Sequence, residues 1–222
     1  MTVRSTKSRA RFEDPLSVLY RAVSKLYTIW LIATFPFASS GRKLSVHFCC
    51  MLARELAHHI ELGNSVIIKK DTWLNIISDD TDEVKIKIED GCIIGTRCTL
   101  SAKNLIHLEP DVITASSVLI QDHNHAYEDL NIPIRDQGVS DGGVIRIGKG
   151  SWIGFGAAIV CSRGELVLGR HCVVAANAVV TRSAPPYSVL AGNPARIIKQ
   201  YDPVRGTWGI GSAQSGRLDA AK

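Results

Sequence analysis

Two histidines, His123 and His125, stand two residues apart in Asp122-His-Asn-His125, with Glu128 and Asp129 close behind. On an extended chain that spacing puts both rings on one side. Imidazole is the usual side-chain base near neutral pH. Such a base takes a hydroxyl proton as the oxygen attacks a carbonyl. Glu128, Asp129 or Asp122 can orient the ring and stabilise its charged form, and a backbone N–H can hold the oxyanion. The pair also suits a metal: two histidines at i and i+2, with a third such as His107 from a neighbouring chain, can hold zinc with an open position. On spacing alone, two loop histidines are more often plain polar surface.

The scaffold that must position them shows itself as a period. Every sixth residue from 88 to 118 is a large aliphatic: Ile88, Ile94, Leu100, Ile106, Val112, Val118. Four residues after each stands a small or polar residue or a proline: Cys92, Cys98, Asn104, Pro110, Ser116, Asp122. A helix repeats at 3.6 and a strand at 2, so neither gives six. A coil with three short flat sides does, which predicts a parallel β-helix of hexapeptide repeats. The period stops where the histidines begin. It resumes at Ile147, Ile153 and Ile159, slips by three residues around Cys161-Ser-Arg-Gly164, and continues at Leu168, Val174 and Val180. Residues 123–143 between the two runs form a long loop, with Tyr127, Ile132 and Ile134 to pin it. Long loops inside a regular scaffold usually carry function.

The chain divides into three parts. Residues 1–58 hold a basic arm and an apolar helical segment, 59–200 the β-helix, and 201–222, rich in glycine, a flexible tail. Residues 72–87 lose the period, and the acidic run 79–83 reads as a solvated loop. The net charge of +5 is concentrated near the N-terminus (Arg4, Lys7, Arg9, Arg11) and suits an anionic surface there. No nucleic-acid-binding motif is present, and only 6% of residues are aromatic, so no nucleic-acid partner is expected. Six cysteines without a Cys-x-x-Cys pair read as reduced small hydrophobes in a cytoplasmic protein, and no cleavable signal is visible.

Asp14 followed by Pro15 opens a helix over 15–38. Leu16, Leu19, Val23, Leu26, Ile29 and Trp30 share one face, with Arg21 and Lys25 toward the other side. The apolar run from 26 to 37 is only about a dozen residues, short of the ~20 that span a bilayer. Three readings stay open: a helix packed on the β-helix end or another subunit, an interfacial helix in peripheral contact with the inner membrane face, or a span. Flat outer sides with small residues, such as 175–178, favour pairing with copies of the chain, which predicts a homotrimer with sites between subunits.

Four segments together resemble the left-handed β-helix acyltransferase superfamily, the hexapeptide-repeat enzymes that include maltose, galactoside and exopolysaccharide O-acetyltransferases. They are Asp122-His-Asn-His125-Ala-Tyr-Glu-Asp129, Ile147-Gly-Lys-Gly-Ser-Trp-Ile-Gly-Phe-Gly-Ala157, Val174-Ala-Ala-Asn-Ala-Val-Val-Thr-Arg182 and Ala191-Gly-Asn-Pro-Ala-Arg-Ile-Ile198. The resemblance covers roughly residues 60–200. It implies a left-handed coil, a trimer, acetyl-coenzyme A as donor, and no metal. It makes the histidine before the loop the general base. His125 aligns best, because Glu128 or Asp129 follows it closely; His123 is the alternative. Trp152, Gly154, Gly156, Ala157, Ala176, Thr181, Arg182 and Arg196 fall where this family lines its coenzyme A groove. Small residues there admit a pantetheine arm, and the arginines can meet phosphates.

Two departures stand out. Ser162-Arg163-Gly164 replaces the usual Pro-Gly corner, and the N-terminal apolar helix is absent from the small soluble sugar acetyltransferases. The helix suits members that modify lipid-linked or surface polysaccharide, so the expected reaction is transfer of acetyl to a saccharide hydroxyl. N-acylation of an amino sugar, or a zinc hydratase of carbonic-anhydrase type on the same coil, are the alternatives.

Overall fold

The computed structural model describes residues 15–77 and 81–210. Three parallel sheets form the three sides of a prism. The first side stacks six strands from Ser39–Ser40 to Arg163–Leu168, and the third stacks six from Met51–Leu52 to Val179–Val180. The second side has nine strands, from Ser45–Val46 to Thr207–Ile210. The chain visits the sides in rotation, and each strand pairs with the one a full turn later. The result is a left-handed parallel β-helix, against the usual hand of parallel crossovers.

Inward columns of aliphatics hold the turns together. On the first side Ile60, Ile86, Ile106, Ile145 and Leu166 stack in register, all buried. On the third, Leu74, Leu100, Ile120, Ile159 and Val180 do the same. Cys92, Cys98 and Cys172 fill corners as small buried side chains. Burial pushes the Cys92 thiol up to about 11, so it packs as a neutral group.

Register corrects the sixfold count in one place. Ile88 pairs with Leu108 and Leu100 with Ile120, so this turn takes 20 residues, not the 18 of three hexads. The two extra residues, Lys103 and Asn104, follow the strand Thr99–Ala102. Val112 and Val118 are buried as expected, but at corners and not in the columns of Ile88 and Leu100. The three-residue slip near Cys161 is seen as predicted: Ile147, Ile153 and Ile159 pair with Leu168, Val174 and Val180.

The coil also starts earlier than its period suggests. Ser39–Ser40 already pairs with Glu61 and Leu62, a full turn before Ile60. At the other end, residues 201–210 are not a loose tail. Arg196–Asp202 and Thr207–Ile210 form an antiparallel hairpin on the second side, with Tyr201 packed between Tyr187 and Trp208. The basic arm 1–13, the Asp14 cap, part of the acidic run 79–83 and the tail beyond 210 lie outside the described residues.

One helix, Pro15–Thr34, closes the first end of the coil. Leu31 is buried against the inner columns, and Thr28 Oγ1 accepts the Val46 N–H at 2.9 Å. The helix meets the coil through Ser24, Thr28 and Leu31. The shared apolar face read from the sequence, Leu16 to Trp30, points away from the coil and is exposed. By length and composition the helix is also apolar enough to cross a membrane, longer than the apolar run alone suggested.

Candidate active site

The site grows out of the two extra residues. After Thr99–Ala102 the chain swings outward through Lys103 and Asn104 before rejoining the first side. Their N–H groups are thereby freed from the ladder and face the next turn. Asp122, one turn later, reaches back and fills them: Oδ1 accepts Lys103 N–H at 2.7 Å and Oδ2 accepts Asn104 N–H at 2.8 Å. Its side chain is fully buried. Asp122 Oδ1 also lies 2.9 Å from His123 Nδ1. A carboxylate that already accepts two N–H groups offers the ring a third acceptor position. Nδ1 therefore carries the proton, and Nε2 keeps a lone pair. The His123 side chain is 8% exposed, so only one edge of the ring is reachable.

The loop after the pair is closed at its base by polar contacts. Gln121 Nε2 donates to His123 O at 2.7 Å, and Asn124 and Ser140 bond each other through backbone and hydroxyl. Lys103 Nζ donates to Ser140 O and Asn104 Nδ2 to Asp141 O. Gly142 sits at φ 79°, where a Cβ would lie 2.9 Å from Asn104 Nδ2, so only glycine returns the chain this close. The apolar side chains expected to pin the loop do not: Tyr127, Ile132 and Ile134 are exposed. Gln137 holds it instead, donating to Asp129 O and Ile132 O and accepting Asp129 N–H.

The other expected residues separate into groups. His125 is exposed and pairs through its backbone with Val139. Glu128 accepts Tyr127 N–H, which holds its carboxyl below the usual range, and Asp129 caps Asn131 N–H. Both carboxylates are engaged within the loop, and of Asp122, Glu128 and Asp129 it is Asp122 that lies against a histidine. Gly154, Gly156 and Ala176 line the corner between the second and third sides, where successive turns approach closely. Ala157 is buried, so its methyl belongs to the core and only its backbone borders the corner. Trp152 faces outward on the second side, 49% exposed. Thr181 and Arg182 are exposed where the third side ends, two turns beyond His123, or about 10 Å along the axis at the spacing of stacked strands. Arg196 is exposed on the final hairpin.

His107 is not a third ligand. Its Nε2 lies 2.6 Å from Glu89 Oε1, and its Nδ1 accepts from Arg146 Nη1 at 3.0 Å, so both nitrogens are engaged on the first side. Among the described residues no three His, Cys, Asp or Glu side chains converge as a metal group. Sequence spacing points to His123 and Asp122 but not to Lys103 and Asn104. Their only signal is the two-residue excess, which the aliphatics Val112 and Val118 conceal.

A three-sided left-handed coil with an aspartate–histidine pair at the root of a long loop is the arrangement that the sequence resemblance to the acyltransferases implies. No family model matches the sequence. A probable acetyltransferase of Mycobacterium tuberculosis, Rv3034c, is 33% identical over 226 residues, covering 96% of this chain and 71% of that protein. WbbJ of Escherichia coli, a putative lipopolysaccharide biosynthesis O-acetyl transferase, is 34% identical over 105 residues, 44% of this chain and 52% of that protein. The chain belongs to the hexapeptide-repeat acetyltransferases. The fold is shared with AntD, an N-acyltransferase from Bacillus cereus solved with dTDP and 3-hydroxybutyryl-CoA. The TM-score is 0.63 over 88% of this chain and 94% of that one, at 19% identity.

Proposed function

We propose that this chain transfers acetyl from acetyl-coenzyme A to a saccharide hydroxyl, with His123 as the general base. The observation that carries the reading is the His123–Asp122 pair with its two backbone clamps. His123 Nε2 takes the hydroxyl proton as the oxygen attacks the thioester carbonyl. The carbonyl oxygen becomes an oxyanion, the C–S bond breaks, and the leaving thiolate of coenzyme A recovers the proton from the imidazolium. Asp122 stabilises that imidazolium while it exists. His125, exposed and without a carboxylate partner among the described residues, is less suited to this role than its spacing implies.

For the donor, the small residues Gly154, Gly156 and Ala176 leave room beside the corner. Arg182 and Arg196 are exposed cations that suit phosphates. The acyl-coenzyme A bound to AntD supports the donor, and the O-acetyl transferase name of WbbJ supports the hydroxyl acceptor. We further propose that the chain works as a homotrimer, because the outward column of the second side is apolar along the coil.

The test measures coenzyme A release from acetyl-coenzyme A with hydroxyl and amino sugars as acceptors. His123→Ala is expected to lower kcat by about 10²–10⁴-fold, the usual share of a general base, and His125→Ala by less than about 10-fold. Full activity in His123→Ala moves the base elsewhere. If the folded wild-type protein shows no calorimetric binding of acetyl-coenzyme A, the transferase reading falls.

A further inference from the structure

We infer that the N-terminal helix, together with the cationic cleft beside it, docks the protein on an anionic lipid bilayer. The helix Pro15–Thr34 packs on the coil through a narrow face that includes Ser24, Thr28 and Leu31. Ser24 and Thr28 are buried there, and Thr28 bonds Val46. At 100° per residue, the opposite arc is built from Val18, Leu19, Val23, Leu26, Ile29 and Trp30, with Ala22 and Ala33 between them. No polar residue interrupts this arc. Leu26 is 68% exposed, Leu19 and Ile29 58%, and Trp30 53%. A soluble helix buries its apolar stripe; here only Leu31 is buried with Ser24 and Thr28, and the wide apolar arc is left exposed.

Charge selects the occupant. A cleft of about 720 Å³ lies between the helix and the first two turns of the second side. Arg21, Lys25, Lys43, Lys69 and Lys70 line it, and Lys25, Lys43, Lys69 and Lys70 form no ion pair among the described residues. Residues 15–54 include no aspartate or glutamate. The first 54 residues carry nine basic and two acidic side chains, so the rest of a +5 chain is slightly acidic. A second copy seated on the ridge by two-fold symmetry would bring these cations toward one another. An anionic headgroup layer meets them with opposite charge while the ridge enters the acyl boundary, the arrangement of interfacial helices. The helix lies along the surface and does not span it, because Leu31 and Thr28 hold its other side in the coil.

The experiment pellets the full-length protein with large unilamellar vesicles, either of phosphatidylcholine alone or of equal parts phosphatidylcholine and phosphatidylglycerol. The expected result is binding to the anionic vesicles, weakened at least about 10-fold by high salt and without phosphatidylglycerol. Leu26→Glu with Trp30→Glu, and separately Lys69→Glu with Lys70→Glu, are each expected to lower the bound fraction at least about 10-fold. These side chains are exposed, so the β-sheet circular dichroism should be unchanged; Leu26→Ser is the milder second variant. Failure of the wild type to pellet with anionic vesicles overturns the inference, as does binding indifferent to both ridge variants. A ridge variant that lowers the solution mass, in a protein that ignores vesicles, assigns the ridge to another copy of the chain and overturns it too.

Discussion

Asp122 acts on His123 by what it can no longer do. Both of its oxygens already accept backbone N–H groups, from Lys103 and Asn104, so toward Nδ1 it is an acceptor only. The ring is thereby fixed in one tautomer and one orientation with Nε2 free to take a proton. Asparagine at this position would set an NH₂ against a backbone N–H, donor facing donor, in a fully buried pocket. Asp122→Asn is expected to lower kcat by at least about 10²-fold while calorimetric affinity for acetyl-coenzyme A changes less than about 3-fold. Equal losses in kcat and affinity would mean that Asp122 shapes the groove and does not position the base.

At the level of elements, the site is a defect built into a regular coil. In the regular turns the backbone N–H groups are taken up by the neighbouring turns or within their own corners, as with Ile93 to Val112 and Ala157 to Gly154. Two residues inserted at 103–104 create a spare pair, and the loop at 122–141 leaves from that point and returns to it. Gly142 is where the return is tightest. Gly142→Ala places a Cβ at φ 79°, which costs an L-residue about 1–2 kcal/mol, and presses on Asn104. The expected outcome is a melting temperature lowered by about 2–4 °C per kcal/mol and a larger loss in kcat than in coil stability. A variant with full turnover would detach the loop's return from the cradle. The regular part of this arrangement was legible in the sequence because an inward column must be aliphatic at every turn. The cradle was not, because Val112 and Val118 are aliphatic too and keep the count of six while the register slips. The first turn was hidden for the opposite reason: strands of two residues, such as Ser39–Ser40, are too short and polar to show a period.

Across the whole molecule the three sides differ in what they present to solvent. The first side is a charged ladder, with Lys87 paired to Glu61 at 3.3 Å and Arg146 to Glu165 at 2.9 Å. The second side presents Ile67, Ile93, Ile113, Trp152, Val173 and Val189 in one unbroken outward column. Ile113 is 43% and Trp152 49% exposed. The loop beside the site adds Leu130 at 95%. Single exposed apolar groups are ordinary, but a contiguous apolar stripe along a rigid prism marks a surface that meets another. Charge placed at its centre tests this directly. Light scattering of the wild type is expected to give the mass of three chains, and Ile113→Lys with Ile93→Glu the mass of one, with the β-sheet spectrum unchanged. If the loops complete each site against a neighbouring coil, the monomeric variant retains His123 in its clamp yet loses turnover. A monomeric wild type would refute the assembly, and a monomeric variant with full turnover would place the entire site within one chain.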